Sequence, residues 1–172
     1  MKILSMAGVA LALLLHPTPQ SVTDVVVIDG ADRIQMKYSL AESRISSNMF
    51  GAKGRSTLNG KKADLRIKSD TPQFMLFSDP AANLSNAVAL VRLDVKSDRR
   101  EIRTVKVGIG SVSSSLPKDH VISVNIEEIR SEPGNRRMNL YKIIPTSPLK
   151  PGEYCLIRDR TFFFDFGVDA KP

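Results

Sequence analysis

Apolar and polar residues alternate along most of this chain, which is the pattern of a β-strand with one buried face and one face in water. Residues 33–40 show it clearly, because every even position is apolar and every odd position is polar. Near the C-terminus, apolar residues 162, 164, 166 and 168 share one face, and Asp165 lies on the other. Nine strands are predicted in all, at residues 33–40, 63–68, 73–77, 87–95, 105–109, 122–126, 138–144, 154–158 and 161–168.

The spacing of these strands predicts an all-β fold. Turn signals recur at intervals of roughly 8 to 14 residues, and no window has a helical period. Such connections are too short for crossover helices, so the sheets should be antiparallel. We therefore expect an antiparallel two-sheet β-sandwich of Greek-key, Ig-like type with about 8–9 strands. We expect polar turns at residues 96–100 and 132–135 and a tight turn at Asp159 and Arg160, and we interpret residues 44–62 as a long connection or mobile loop.

One short motif supports this architecture. Leu149, Pro151, Gly152 and Tyr154 follow the pattern Leu-x-Pro-Gly-x-Tyr. The pattern resembles the tyrosine corner of Greek-key sandwiches such as fibronectin type III and immunoglobulin-like domains, in which the tyrosine hydroxyl bonds to a backbone group a few residues upstream. An ordinary Pro-Gly turn before a strand is the alternative. The chain has no Trp and one Cys, so the resemblance implies an architecture and not an antibody-type or receptor-type function.

A wider resemblance covers the C-terminal region. Residues 148–154, leading into residues 164–169, resemble the closing hairpin of uncharacterised secreted bacterial proteins. That group has no established activity, so the resemblance implies a location and a fold and nothing about chemistry.

The N-terminus has the layout of a secretory signal peptide. Lys2 precedes an apolar run at residues 3–15, and a Pro-containing segment follows. The run is too short to span a membrane, which takes about 20 apolar residues in a helix. An uncleaved anchor is the alternative. We expect residues 1–21 to be a signal peptide, cleaved at about 20–24, and residues 22–172 to form a single secreted or periplasmic domain without a transmembrane span.

The net charge of the chain indicates which classes of partner to expect. The formal net charge is +7, and Lys2 is the only Lys, Arg, Asp or Glu in the first 21 residues, so the mature chain carries +7 minus 1, or +6. Outside the cytoplasm a nucleic-acid partner is not expected, whereas an anionic envelope component or another envelope protein is. The candidate docking residues, called the basic cluster below, are Lys53, Arg55, Lys61, Lys62 and Arg66. A solvated loop and strand face is the other interpretation of this cluster.

Residues that carry chemistry are few. If His16 leaves with the signal peptide, His120 is the only histidine, which excludes a three-histidine zinc site within one chain. No Gly-x-Ser-x-Gly elbow, dinucleotide fingerprint or calcium loop occurs. Glu127 and Glu128 are neighbours on a strand, so they face opposite ways and do not act together on one sugar ring. Cys155 has apolar neighbours, which predicts a packed and inert thiol.

These observations favour a function in binding. We expect an exported, non-catalytic β-sandwich that serves as a binding or interaction module in the cell envelope or outside the cell. No cofactor, metal site or catalytic residue is assigned. Two alternatives stay open: a small secreted hydrolase that uses His120 beside Asp119, and a surface-assembly subunit that pairs through an edge strand.

Overall fold

A computed structural model describes residues 24–48, 51–79, 81–108, 111–113, 116–131 and 138–170. The predicted signal peptide and the predicted turn at residues 132–135 lie outside these residues. The described part of the chain contains one short helix, α1 (Leu84–Ala87), and sixteen strands. The strands are β1 (Val25–Asp29), β2 (Asp32–Met36), β3 (Ser39–Leu40), β4 (Glu42–Asn48), β5 (Gly51–Asn59), β6 (Arg66–Ile67), β7 (Gln73–Ser78), β8 (Val88–Arg92), β9 (Asp94–Val95), β10 (Arg99–Gly108), β11 (Ser111–Ser113), β12 (Val121–Ile122), β13 (Val124–Ser131), β14 (Asn139–Pro145), β15 (Gly152–Arg158) and β16 (Phe162–Val168).

The strands form three sheets. Sheet 1 has the order β13-β14-β7-β1-β2, and sheet 2 has the order β12-β8-β15-β16-β3, with β6 also paired to β16. Sheet 3 has the order β11-β10-β5-β4, with β9 on β10. All pairings are antiparallel except that of β6 with β16. The subset β1-β7-β14-β13 and the subset β8-β15-β16 reproduce the A-B-E-D and C-F-G orders of a constant-type immunoglobulin sandwich. The all-β, Ig-like expectation is therefore confirmed.

Sheets 1 and 2 enclose the main core. Phe74, Leu76 and Ile143 of sheet 1 pack against Phe164 and Phe166 of sheet 2 in one buried cluster. Because side chains alternate along a strand, the predicted apolar face of β16 supplies this core. No helix in the described part of the chain has the length and hydropathy needed to cross a membrane.

The second face of sheet 2 is covered as well. Val91, Cys155 and Phe163 of sheet 2 join Leu58 and Ile102 of sheet 3 in a second, smaller core. The fold thus has three layers, with sheet 2 in the middle. Burial on both faces explains why six of the seven β15 residues are buried, a pattern without alternation.

The structure corrects two expectations. Residues 44–62 are not a loop between two sheets, because β4 and β5 form an antiparallel hairpin and β5 pairs with β10. The count of 8–9 strands is also too low, since the third sheet and several short strands were not predicted. Among the described side chains of sheet 3, Leu58 and Ile102 join a buried cluster, and the sequences of β4 and β5 lack the alternation that marks a half-buried strand.

The chain changes sheets within the strand that was predicted at residues 33–40. Residues 33–40 divide into β2, which pairs with β1 in sheet 1, and β3, which pairs with β16 in sheet 2. The alternation of apolar residues continues through the break, so it gives no signal of the change. The predicted turn at Asp159 and Arg160 is present, with φ values of 51° and 59°. Thr161 N donates to Arg158 O across it at 3.1 Å.

Candidate functional site: a polar cleft where the three sheets meet

A cleft of about 940 Å³ opens where the three sheets meet. One wall is residues 35–40, in which the chain passes from sheet 1 to sheet 2. The other wall comes from the end of β5 and the loop that follows it, and Arg100 and Asp165 lie at the base. The two walls, Arg100 and Asp165 come from four separate segments of the chain, which meet because sheet 3 lies against sheet 2.

The base of the cleft is a buried ion pair. Arg100 Nη1 lies 2.6 Å from Asp165 Oδ2, and the two side chains are 5% and 13% exposed. The rest of the Arg100 guanidinium donates to backbone, with Nε 3.1 Å from Gly60 O and Nη2 2.9 Å from Asn59 O. Ser39 Oγ lies 3.5 Å from Asp165 Oδ1. Arg100 therefore ties the loop after β5 to sheet 2 and leaves the base rigid and electrically neutral.

The Arg100–Asp165 pair is linked to further ion pairs that involve Glu153, Arg66 and Asp169. Glu153 Oε2 is 3.7 Å from Arg100 Nη1 and accepts a hydrogen bond from Ala63 N at 2.8 Å. Glu153 Oε1 lies 2.5 Å from Arg66 Nη1, and Arg66 Nη2 lies 2.5 Å from Asp169 Oδ1. The hydrogen bond to Arg66 holds the pKa of Asp169 below its ordinary value, and the bond to Asp169 raises the pKa of Arg66. Charges thus alternate from the surface to the buried base.

An aromatic ring stands at the rim. Tyr38 is one of the residues that line the wall between β2 and β3, and it is 49% exposed. Its ring meets Phe162 edge-on at a centroid distance of 5.1 Å and Phe164 at 6.2 Å. These contacts fix the orientation of the ring while half of its surface stays accessible. Leu40, at 70% exposure, is the neighbouring rim residue.

The outer edge of β16 is open at the cleft. β3 pairs with Phe162 and Phe163, and β6 pairs with Gly167 and Val168. Between them, neither strand pairs with residues 164–166. Gly167 N donates outward to Leu65 O at 2.9 Å, and outward-facing groups recur at every second residue of a strand. The backbone N–H and C=O of Asp165 therefore point into the gap between β3 and β6.

The structure distributes the basic cluster over three places. Arg55 lies on sheet 3 with Nη1 3.0 Å from Glu101 Oε1, and Arg66 is engaged by Glu153 and Asp169 as described. Lys61 and Lys62 lie exposed on the loop after β5, and Lys62 lines the cleft. The side chain of Lys53 lies outside the described residues. Of the four members whose side chains are described, Arg55 and Arg66 are paired with carboxylates and Lys61 and Lys62 are exposed.

The residues of the tyrosine-corner pattern lie at the start of β15. Tyr154 is 2% exposed, and its Oη donates to Lys150 O, four residues upstream, at 2.6 Å. Its ring stacks on Phe166 at 5.6 Å. Burial raises the pKa of Tyr154, which keeps the hydroxyl protonated as a donor. Leu149 is buried, Leu149 N donates to Asp70 O, and Pro151 and Gly152 join these residues to β15.

His120 lies apart from this cleft, at a smaller depression of about 400 Å³. Its Nδ1 is 2.8 Å from Arg92 O, so Nδ1 carries the proton and donates to that carbonyl. Its Nε2 lies 3.9 Å from Asp94 Oδ1 and 3.7 Å from Asp119 Oδ2. A serine hydrolase needs one ring nitrogen on a carboxylate and the other on the nucleophile. In His120 the Nδ1 nitrogen is bonded to the backbone carbonyl of Arg92, so the two ring nitrogens are not shared between a carboxylate and a nucleophile. This geometry does not favour the hydrolase alternative.

Two other side chains that could carry chemistry, those of Cys155 and Glu127, are buried or paired. Cys155 is fully buried, and burial raises the pKa of its thiol well above the ordinary 9.0. Glu127 Oε2 is 2.7 Å from Lys142 Nζ. Within the described ranges, no group of three or more His, Cys, Asp or Glu side chains has the geometry to hold a metal ion.

Sequence reasoning named Lys62 as a candidate docking residue but none of the other residues that line the cleft. Residues 96–100 were predicted to be a turn, whereas β10 begins at Arg99 and buries Arg100. Asp165 carried the one usable signal, because a carboxylate in an otherwise apolar and aromatic strand needs a buried partner. We compared the chain with protein-family models, curated proteins and solved structures, and no match was found in any of the three.

Proposed function

We propose that this chain is an exported binding module that acts in the cell envelope or outside the cell, without catalytic chemistry, and that it binds its partner in the cleft above β16. The signal-peptide layout of residues 1–21 and the resemblance of residues 148–169 to secreted bacterial proteins support the proposed location. The architecture supports the proposed mode of action, because a rigid sandwich presents loops and strand edges to partners.

The observation that carries the proposal is that the charged side chains at the bottom of the cleft already have hydrogen-bond partners. Asp165 accepts from Arg100 and Ser39, and Arg100 bonds to two carbonyl groups as well. A general acid or base has to exchange a proton during its reaction. Both oxygens of the Asp165 carboxylate are already engaged, one by Arg100 and one by Ser39, so this side chain is suited to a structural or ligand-positioning role.

Two of the sheet edges are poorly suited to the assembly of identical subunits. β13, at one edge of sheet 1, has a register shift between Glu128 and Arg130. β3 and β6, on the outer edge of sheet 2, are two residues long. Bulges and very short edge strands oppose edge-to-edge pairing. The alternative of a structural subunit is thus less well supported than a ligand in the cleft.

Site-specific photocrosslinking in the native host tests this proposal. The full chain is produced with p-benzoylphenylalanine in place of Leu40 at the cleft rim. A matched control carries it in place of Ile129, which is exposed at 48% on sheet 1. We expect export of both variants and an adduct at position 40 that is absent at position 129. Equal adducts at both positions, or none at position 40, would contradict the proposal.

A further inference from the structure

We propose that the ligand of this cleft is a neutral carbohydrate chain, with one sugar ring packed on Tyr38 and its hydroxyl groups bonded to the polar walls. This inference rests on the proposed function, because it names the class of partner for the same site. It is carried by the charge balance of the cleft, the exposed aromatic ring and the short opening in the edge of β16.

The cleft is charged but balanced. Among the described residues that line it, Lys37, Lys62 and Arg100 carry positive charge, and Glu42, Asp64 and Asp165 carry negative charge. A polyanion or a polycation would meet as many like charges as opposite ones, and like-charge contacts oppose binding. A ligand without net charge meets no such repulsion. The balance therefore favours a neutral, polar ligand over the anionic partner that the overall charge of +7 indicates.

The polar groups of the walls are both donors and acceptors. The carboxylates accept, the lysines donate, and Gln35, Asn59 and the Asp165 backbone do both. A sugar hydroxyl also donates and accepts, so neighbouring hydroxyl groups can match a wall of mixed character. A purely apolar ligand would leave these groups unpaired at a cost of about 1–3 kcal/mol for each that becomes buried.

Tyr38 supplies the apolar part of the site. One face of a pyranose ring presents several C–H groups, which pack against an aromatic ring of negative quadrupole. Phe162 and Phe164 hold the Tyr38 ring in place, and its exposed half is available without a rearrangement. A ring fixed before binding costs little conformational entropy when the ligand arrives.

The edge of β16 argues against an extended peptide as the ligand. A peptide that joins a sheet needs a run of unpaired backbone groups along the edge strand. Here the gap covers residues 164–166, between the segments paired with β3 and β6. Asp165 alone presents outward N–H and C=O groups in this gap. One such residue suits a compact ring with polar substituents, and the cleft volume of about 940 Å³ admits more than one ring.

Titration with defined oligosaccharides tests the inference. The mature chain is titrated calorimetrically with neutral trisaccharides of glucose, N-acetylglucosamine, xylose and mannose, and saturation-transfer NMR reports which protons contact the protein. We expect at least one of these probes to bind with a dissociation constant of about 10 μM to 1 mM, and its ring C–H protons to show the strongest transfer.

Variants at the rim separate the aromatic contact from other causes. Tyr38→Phe keeps the ring and should bind within about threefold of the natural chain, whereas Tyr38→Ala should lose at least about tenfold in affinity. Ile129→Ala is the matched control and should leave binding unchanged. Because Tyr38 is half exposed, the alanine variant is expected to fold, and its thermal unfolding curve verifies this.

The possible failures are distinguishable. If no trisaccharide binds, or if Tyr38→Ala binds as well as the natural chain, the carbohydrate inference is wrong. In either case an adduct at position 40 with a protein or peptide would leave the proposed function intact and identify a different partner class. Loss of the position-40 adduct, in contrast, counts against the proposed function itself.

Discussion

The buried ion pair at the base of the cleft gives the most exacting test of this structure. We consider Arg100→Met, which removes the charge but keeps an unbranched side chain of similar reach. The substitution leaves the Asp165 carboxylate, at 13% exposure, with Ser39 at 3.5 Å as its remaining side-chain partner. It also removes the donors to Gly60 O and Asn59 O.

The expected cost follows from these contacts. Breaking a buried pair by removing one partner costs about 3–5 kcal/mol, chiefly because a charge stays buried without compensation. A domain of this size has a total stability of about 5–15 kcal/mol, so the variant should still fold. Asp165→Asn alone should cost less, because Arg100 retains Glu153 at 3.7 Å and its carbonyl partners. In the double variant the two costs should overlap, with a coupling energy of about 2 kcal/mol or more.

Urea denaturation followed by circular dichroism at pH 7 measures these energies. Arg44→Met is the control, because Arg44 and its ion-pair partner Glu42 have side chains that are 63% and 58% exposed. The control should lose no more than about 1 kcal/mol. If Arg100→Met also lost less than about 1 kcal/mol, or if the single costs were additive, the buried pair described here would be refuted.

Three further predictions concern residues outside this pair. Tyr154→Phe should lower the free energy of unfolding by about 1 kcal/mol in urea denaturation, because it removes the 2.6 Å hydrogen bond to the exposed residue Lys150; an unchanged value would contradict this role. Cys155 should react with a thiol reagent at pH 8 only as fast as the chain unfolds, since it is fully buried and its pKa is raised; rapid labelling of native protein would contradict this burial. The stability that Asp169 contributes through Arg66 should be present above its ordinary pKa of 3.8 and disappear as the pH falls through its lower folded pKa. Asp169→Asn should therefore differ from the natural chain at pH 7 and converge with it in acid, and a difference that persists in acid would contradict this linkage.

The strands that sequence reasoning predicted well are those with a marked apolar pattern. Residues 73–77, 138–144 and 161–168 correspond to β7, β14 and β16, whose apolar positions supply the main core. β7 was predicted from its short apolar run, whereas the apolar face of β16 and the alternating burial of β14 follow from the pleat of a strand. For these elements the local pattern and the tertiary environment carry the same information, so prediction from sequence succeeds.

The parts that escaped prediction have a different physical basis. β5 contributes Leu58 to the second core and otherwise consists mostly of Gly, Ser, Thr and charged residues. Such a strand is stabilised by pairing with β10, a contact between distant parts of the chain that leaves no periodic signal. The pair of Arg100 with Asp165, separated by 65 positions, is equally invisible to local patterns.

Sheet 3 also explains where the cleft lies. The strand order of sheets 1 and 2 is that of a simple sandwich, and β4, β5, β9, β10 and β11 all come from two long connections, one between β3 and β6 and one between β8 and β12. These connections pair with each other, so the cost of ordering each is offset by a shared ladder and a shared core. Together they form sheet 3, which covers the second face of sheet 2 as far as Asp165. At that point Arg100 contacts Asp165 and donates a hydrogen bond to the loop after β5. The cleft lies where this added layer ends and the sandwich edge begins. Its shape therefore depends on the Arg100–Asp165 contact, and loosening that contact should disturb the ligand site as well as the stability of the fold.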